Sequence, residues 1–562
     1  MRHELIDPED IEALADNWRL PGTDETAPES HSEPGRSVLP DIRVGNRQLR
    51  ELSEEALEAL RKVNDPPRLF TRGGFMVSLM TDDKGQTIIA AMTEPRLRGW
   101  LARSANYYRL TRQGDRVETF PPPEVVKDVL ALDPALWRFL PLDMVIEVPA
   151  LRPDGTILNT PGYDAATRLY YAPAPTLILP PVSDHPNSAE AASGRRVIES
   201  VIAEFPFVDQ ASRTNAIALI LTPFLRSAIY GSVPLALIDA TAAGTGKTLL
   251  ADVSARIATG KPGDMLSAPK EPDEWRKQIT TALIDGNPVV IFDNLSSRLD
   301  SAELCKAITE EAHGDRAMKT HERLSLPVRC IWIATGNNIQ LGSDMPRRCY
   351  RIRMDPETSK PFLRDGFIHP DLKGWVAAQR GEIIGAILTL ARAWYAAGQP
   401  RPKVKPVGSF ENWTVILGGI LEFAGIEEFL RNADEVFEQA DIESIEWEGF
   451  IETLDEVFYS EPFITADITQ KLTETQWDDY ARRNHPSPAG DRLRAALPGF
   501  LGEVIDKPAL LGRRIGRCFA EREGRRFGEE QWHIRRTGQV SHHAQCWKTF
   551  NRHTAVKIVK PG

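Results

Sequence analysis

At 562 residues the chain is too long for one hydrophobic core, and its length predicts roughly three to four domains. The 42% hydrophobic and 26% charged content is ordinary for a globular protein in water. Apolar stretches such as Ile217–Leu225 and Val233–Ile238 are too short to be bilayer-spanning helices. The net charge of −11 counts against a nucleic-acid binder in sum, but its distribution matters more. Ile426–Glu461 holds thirteen Asp/Glu against the single basic Arg431, whereas Leu511–Gly562 holds twelve Lys/Arg against four Glu. A basic module behind an acidic one can bind a phosphate backbone despite a negative total; solvated faces are the plainer alternative for the acidic stretch.

The five cysteines (Cys305, Cys330, Cys349, Cys518, Cys546) lie far apart with no CxxC pair. That argues against a disulfide framework and against a zinc ribbon or finger, and leaves reduced thiols packed as small apolar residues. The opening residues Met1-Arg2-His3-Glu4-Leu5-Ile6-Asp7 carry acid early and no apolar signal core, so a cytoplasmic protein is expected.

Along the chain, residues 21–40 are rich in Pro, Ser, Thr, Glu and Gly, the composition of a loosely attached arm. Leu52, Ala56, Leu57 and Leu60 predict an amphipathic helix over Leu52–Val63 opened by Ser53. Arg68–Met80 and Thr87–Met92 alternate around the turn Asp82-Asp83-Lys84-Gly85, as a hairpin would. Helix is expected over Glu124–Leu132, and strands in Met144–Leu158 and Gly162–Tyr171. Two helices, Ala189–Phe205 and Ala211–Tyr230, lead into alternating strands and helices between Pro234 and Met354, which predicts a parallel sheet with crossovers. Helices return at Leu372–Ala397 and Phe410–Leu430.

Within the alternating region, Leu235–Ala240 is an apolar strand followed by Thr241-Ala242-Ala243-Gly244-Thr245-Gly246-Lys247-Thr248-Leu249 and a helix start. Small residues let backbone N–H groups curl around a β-phosphate, and the helix presents its positive N-terminus. Residues 243–249 are therefore the candidate nucleotide loop. Lys247 would reach the β- and γ-phosphates of ATP, and the Thr248 hydroxyl would hold Mg²⁺. The signature's first glycine is replaced by Thr241.

A second apolar strand, Asn287–Leu295, ends in Asp293, placed to hold Mg²⁺ directly or through water. Asn294 stands where a glutamate commonly polarises the attacking water. Either Asn294 positions the water, or another acid such as Glu274 serves as base unless it is an ordinary surface acid. A third strand, Cys330–Asn338, ends in Asn337 and Asn338, either of which suits a neutral contact to the γ-phosphate or the lytic water. Arg347 and Arg348 follow on Gly342–Arg348. Either would supply the planar, permanently charged fork that completes a neighbouring subunit's site, unless it pairs with Asp344.

With these pieces in order, the chain resembles the superfamily 3 helicases and related primase-helicases of phages, plasmids and integrated elements. The resemblance rests on Gly244–Thr248, the strand ending at Asp293-Asn294, Ala334–Asn338 and Asp344–Arg348. Ahead of these, Val148–Thr156 and Pro161–Asp164 look like the segment that precedes the ATPase in poxvirus-type primase-helicases. The resemblance covers about residues 45–430 and, more weakly, the C-terminus. It implies an AAA+ ATP hydrolase working as a DNA helicase or translocase. The expected assembly is a homo-oligomeric ring, a hexamer, threading single-stranded or forked DNA with 3′-to-5′ travel in replication of a mobile genetic element. It also implies a DNA-gripping hairpin before the third strand, where Lys319 and His321 would contact phosphate and sugar without reading bases; a solvated turn is the alternative.

Toward the C-terminus, Thr465–Leu472, Asp491–Leu501 and Pro508–Glu523 read as three short helices before two strands, Gln531–Arg536 and Cys546–Asn551. That order resembles a winged helix-turn-helix. Arg513, Arg514, Arg517, Arg522, Arg525 and Arg526 crowd the third helix and outnumber the nearby acids. DNA binding is therefore expected there, against a protein-docking module for a separate primase or initiator. The fold expected is α/β: an AAA+ P-loop ATPase core, its parallel sheet flanked by helices, with a small α+β N-terminal domain and a C-terminal winged-helix-like domain. The expected boundaries are an arm over 1–44, the small domain over 45–181, the ATPase over 182–400, an acidic helical connector over 401–462 and the basic domain over 463–562. Two other functions compete: an ATP-switched initiator or helicase loader, and a protein-remodelling ATPase. The second is disfavoured because no aromatic pore loop follows the phosphate-loop helix.

Overall fold

The computed structural model describes residues 39–553, apart from 296–297, 317–322, 343, 359, 479–482 and 542–543. The chain forms two compact units, one from the described part of Met1–Val63 with Glu94–Ala131, the other from Asn64–Thr93 with Leu132 onward. In the first, the strands Asp41–Arg43, Asn106–Leu110 and Arg116–Glu118 form a three-stranded sheet beside helices Leu49–Lys62, Glu94–Ser104 and Pro123–Ala131. The helix expected to open at Ser53 begins one turn earlier, with Gln48 in the N-cap position and Ser53 buried inside it. Its first turn leaves Leu49 and Arg50 exposed, off the buried stripe, and Arg47 reaches across that turn to Glu55 with bonds of 2.7 and 2.8 Å.

The second unit opens with the antiparallel strands Leu69–Arg72, Phe75–Thr81 and Thr87–Ala91. The expected hairpin turn is closed by Gly85 N–H donating to Asp82 O at 3.0 Å, with the Asp82 carboxylate accepting from Lys84 and Gln86 N–H. Short strand pairs follow through Tyr171.

The centre of this unit is a five-stranded sheet. Helix α1 (Gln210–Leu225) precedes it. The chain then runs β1 (Leu235–Ala240), α2 (Lys247–Thr259), β2 (Met265–Ser267), α3 (Pro272–Asp285), β3 (Val289–Leu295), β4 (Ile331–Asn337) and β5 (Cys349–Met354). All pairings are parallel, and the spatial order is β2-β3-β4-β1-β5. Every residue of β1 is buried, as an apolar run covered on both faces must be. Each Leu or Ile so buried contributes roughly 1.5–3 kcal/mol. Because β4 enters between β3 and β1, the carboxyl ends of these three strands lie side by side. Such an edge, where strand order departs from chain order, is where α/β sheets bind ligands.

After α4 (Leu372–Ala396) and the helix Glu411–Phe423, the acidic stretch forms a 26-residue helix, Ala433–Phe458. Its buried stripe of Trp447, Phe450, Ile451 and Leu454 joins Phe519, Phe527 and Trp547 in a second core. The three expected helices appear as Thr465–Thr473, Pro488–Ala496 and α5 (Pro508–Glu521), followed by the strands His533–Ser541 and Ala544–Phe550. A further hairpin, Thr475–Asp478 with Arg483–Pro486, lies between the first two helices. Its polar sequence gives no alternating apolar signal. Among the described residues no helix is long and apolar enough to cross a membrane.

Candidate nucleotide-binding site

The glycine-rich loop leaves the carboxyl end of β1 and ends at Gly246, the N-cap of α2. Gly244 and Gly246 have φ of +78° and +102°, a region that favours glycine. A Cβ at Gly244 would meet Phe362 at 3.4 Å, and one at Gly246 would meet Phe205 at 3.4 Å. No side chain caps α2, so its first N–H groups stay open to a ligand. Thr241 lies outside the left-handed region, and its N–H extends the β1–β5 ladder to Met354 O at 3.3 Å. A β-branched residue there is unstrained, which accounts for the missing first glycine.

Lys247 is 8% exposed, and its Nζ donates to Asn337 Oδ1 at 2.7 Å and to Ala242 O at 3.2 Å. Burial pushes its ammonium below the ordinary value, while the Asp239 and Asp293 carboxylates pull the other way. The Thr248 hydroxyl donates to Asp293 Oδ1 at 2.8 Å. Residues from the ends of β3 and β4 and the start of α2, far apart in sequence, are thus in direct contact.

Asp293 reaches this position through a bulge. Phe292 pairs with Ala334 and Leu295 with Gly336, so β3 carries one residue more than β4 over that interval. Asn294 takes up the excess with φ of +56°, a conformation Asn tolerates better than most residues. Thr335 fastens the bulge. Its buried hydroxyl donates to Asp293 Oδ1 at 2.6 Å and accepts from Asn294 N–H at 3.0 Å. Sequence reasoning missed Thr335; a lone hydroxyl within Ile331–Asn337 was the available signal.

The two strand-end amides differ in surroundings. Asn337 faces Lys247. Asn338, at φ +46°, accepts from Arg353 at 3.0 Å and directs its own amide N–H toward Thr241 O at 3.5 Å. Glu274 lies on the surface of α3 paired with Lys277 at 2.6 Å, as the ordinary-acid alternative had it.

Arg347 and Arg348 sit at the opposite edge of the sheet. Arg348 O accepts from Leu235 N–H where β1 begins, and Leu235 pairs with Cys349. The sheet's length separates them from their own glycine-rich loop by about 17 Å, at roughly 3.3 Å per residue. Arg348 bonds Thr309 at 2.8 Å and pairs with Asp344 at 3.3 Å, so the expected Asp344 ion pair falls on this residue. Arg347 is exposed, and its guanidinium pairs with no other described residue. Lys319 and His321 lie outside the described residues.

Beside the loop is a cavity of about 350 Å³ lined by Gly244, Thr245, Gly246, Leu249, Phe205 and Phe362, among others. Its aromatic walls come from segments before β1 and after β5, which no local motif indicates. Ala243 is exposed at the loop's outer turn. Among the described residues no cluster of three or more His, Cys, Asp or Glu could hold a metal alone. One carboxylate beside one hydroxyl is instead the sparse donor set Mg²⁺ accepts when phosphates and water complete its shell.

On α5, Arg513, Arg514 and Arg517 are exposed opposite the buried Leu511, Ile515, Cys518 and Phe519. They are not equally available. Arg517 pairs with Glu521 at 3.5 Å, and Arg513 Nε donates to Ala509 O at 3.2 Å. Arg522 lies over Trp447 and pairs with Glu521 at 3.4 Å, whereas Arg525, over Phe527, stays exposed with its charge.

No protein-family model matches the chain, and no curated protein matches it. Among solved structures, a similar chain is described as "SCCmec type IV Cch - active helicase". It is 12% identical, with 72% of this chain and 77% of that chain covered and a TM-score of 0.30. A likeness at that score carries no weight; the geometry at the carboxyl edge of the sheet does.

Proposed function

We propose that the protein is a Mg²⁺-dependent ATP hydrolase of the AAA+ type that drives movement along DNA. In this proposal it is a ring of identical subunits, a hexamer, travelling 3′-to-5′ in replication of a mobile genetic element. The observation that carries the proposal is the convergence of Lys247, Thr248, Asp293 and Asn337 at one strand edge, under an uncapped helix start. The backbone of 243–249 would cradle the phosphates, and Lys247 would lie against the β- and γ-oxygens. Thr248 and Asp293 would hold Mg²⁺, which when bound neutralises charge on the phosphates. Asn337 or Asn338 would orient the water, with Asn294 at the bulge beside them. The aromatic cavity would take the base. Arg347, remote from its own loop and without an ion pair among the described residues, suits a role in the adjoining subunit's site. Arg513 and Arg514 supply exposed positive charge for a DNA backbone, with Arg517 partly spent on Glu521.

The test is phosphate release from ATP by the purified protein, with and without single-stranded DNA. Stimulation by DNA is expected of a translocating motor. Hydrolysis indifferent to DNA would favour a remodelling ATPase, and binding without turnover would favour a nucleotide-switched loader.

Thr335 gives a more local prediction. Thr335→Val keeps the shape but removes the bond to Asp293 and strands the Asn294 N–H. Loss of such a partner to a metal ligand costs about 10- to 100-fold in metal affinity. The Mg²⁺ concentration for half-maximal hydrolysis should rise by that order; an unchanged Mg²⁺ titration would remove Thr335 from the site.

A further inference from the structure

Strand alternation puts Arg351 and Arg353 on one face of β5, and the register sets Arg353 directly beside Asp239 of β1. Asp239 is fully buried, at 0% exposure. A carboxylate so placed is costly unless its lone pairs are filled. Here Oδ2 accepts from both guanidiniums, and Oδ1 accepts from Ile339 N–H at 3.1 Å. One side chain thereby ties together β1 just before the glycine-rich loop, the end of β5, and the turn after β4.

The two arginines are not equivalent. Arg351 is 4% exposed, whereas Arg353 is 25% exposed and has its second terminal nitrogen on Asn338 Oδ1 at 3.0 Å. Asn338 is held further by its backbone N–H on Ala240 O at 3.0 Å. With its carbonyl oxygen taken by the cation, the Asn338 amide can turn only its NH₂ toward Thr241 and the loop. A carboxylate needing only charge compensation would be served by Arg351. The second fork does something more: it fixes which way Asn338 faces.

We propose that Arg353 is a positioning residue for nucleotide hydrolysis, holding the Asn338 amide and the turn around it in register with the phosphate loop through Asp239. This rests on the hydrolase proposal above and adds to it that the Asn338 turn is set from β5, by a residue that does not itself touch the nucleotide. Its effect should fall on turnover, since Lys247, Thr248 and the loop backbone are left intact.

The test compares Arg353→Met, Arg353→Lys, Asn338→Ala and the Arg353→Met/Asn338→Ala double variant in the full chain. Readouts are kcat and KM for ATP, equilibrium binding of a fluorescent ATP analogue, and thermal melting. Arg353→Met should lose about 10- to 100-fold in kcat, the range for partners that orient a first-contact group, with analogue affinity changed less than about threefold. Arg353→Lys keeps a cation on Asp239 but forfeits the fork, so it should recover the melting temperature and only part of kcat. Adding Asn338→Ala to Arg353→Met should cost little more, because both remove one interaction. Unchanged kcat in folded Arg353→Met overturns the inference, as does a fall in analogue affinity that accounts for the whole loss. If Arg353→Met does not fold, Arg353→Lys with wild-type kcat overturns it equally. A wild-type protein that does not hydrolyse ATP overturns the hydrolase proposal instead, and this inference with it.

Discussion

Lys247→Ala is expected to lower ATP turnover by about a thousandfold, the upper range for removing one electrostatic contact to developing charge in a water-poor site. The ammonium is nearly buried, and its present partners are neutral, an amide oxygen and a backbone carbonyl. The Asp239 and Asp293 carboxylates act on it only at a distance, being bonded themselves to guanidiniums and to hydroxyls, so the ammonium is free to meet a phosphate. The fold should survive. Lys247 is the first residue of α2, where Ala is an excellent helix former, and the truncation removes a buried charge rather than a buried apolar group. Phosphate release measured beside a melting curve separates the outcomes. A folded Lys247→Ala protein retaining wild-type turnover would remove Lys247 from the chemistry.

Arg347→Ala should be at least as damaging, by about 10³- to 10⁵-fold, while leaving ATP binding intact. The reason is geometric. Arg347 stands at the amino edge of the sheet and its own loop at the carboxyl edge, so in the proposed ring it would complete another subunit's site. Arg348, bonded to Thr309 and Asp344, should tolerate Ala with a smaller loss. Mixing provides the decisive readout. Arg347→Ala subunits retain an intact loop, and Lys247→Ala subunits retain an intact arginine, so two inactive preparations should regain hydrolysis when assembled together. Mixtures as inactive as their components, or a fully active Arg347→Ala protein, would place the arginine outside the site.

Much of this site was legible because its parts fall at strand ends. An apolar strand that stops at a carboxylate or an amide marks the edge where a ligand meets the sheet, and Asp293, Asn337 and Asn338 are such residues. Lys247 and Thr248 were readable for a related reason, since the loop's small residues serve no core. Asp239 and Thr335 were missed because they lie one and two residues inside their strands, in Leu235–Ala240 and Ile331–Asn337. A buried acid or hydroxyl amid Leu, Ile and Ala was the signal. Its partners, Arg351 and Arg353 for the acid and the bulged Asn294 for the hydroxyl, depend on strand register, which composition does not contain. What distinguishes Arg348 from Arg347, its bond to Thr309, likewise comes from a separate element, the helix Ala302–Thr309. In the C-terminal region, the ion pairs of Arg517 and Arg522 with Glu521 and the stacking of Arg522 on Trp447 depend on geometry that a charge tally does not contain.

The central claim is that Asp293 and Thr248 hold a divalent ion against a triphosphate. Electron paramagnetic resonance of Mn²⁺ used in place of Mg²⁺ tests it most directly, by counting free ion as protein is added to Mn²⁺ with and without ATP, against the same mixtures lacking protein because ATP alone binds the ion. The wild-type protein should withdraw Mn²⁺ from solution only when ATP is present, and Asp293→Asn should weaken that uptake at least about tenfold. Asp293→Asn protein that takes up Mn²⁺ with ATP as tightly as wild type would contradict the assignment.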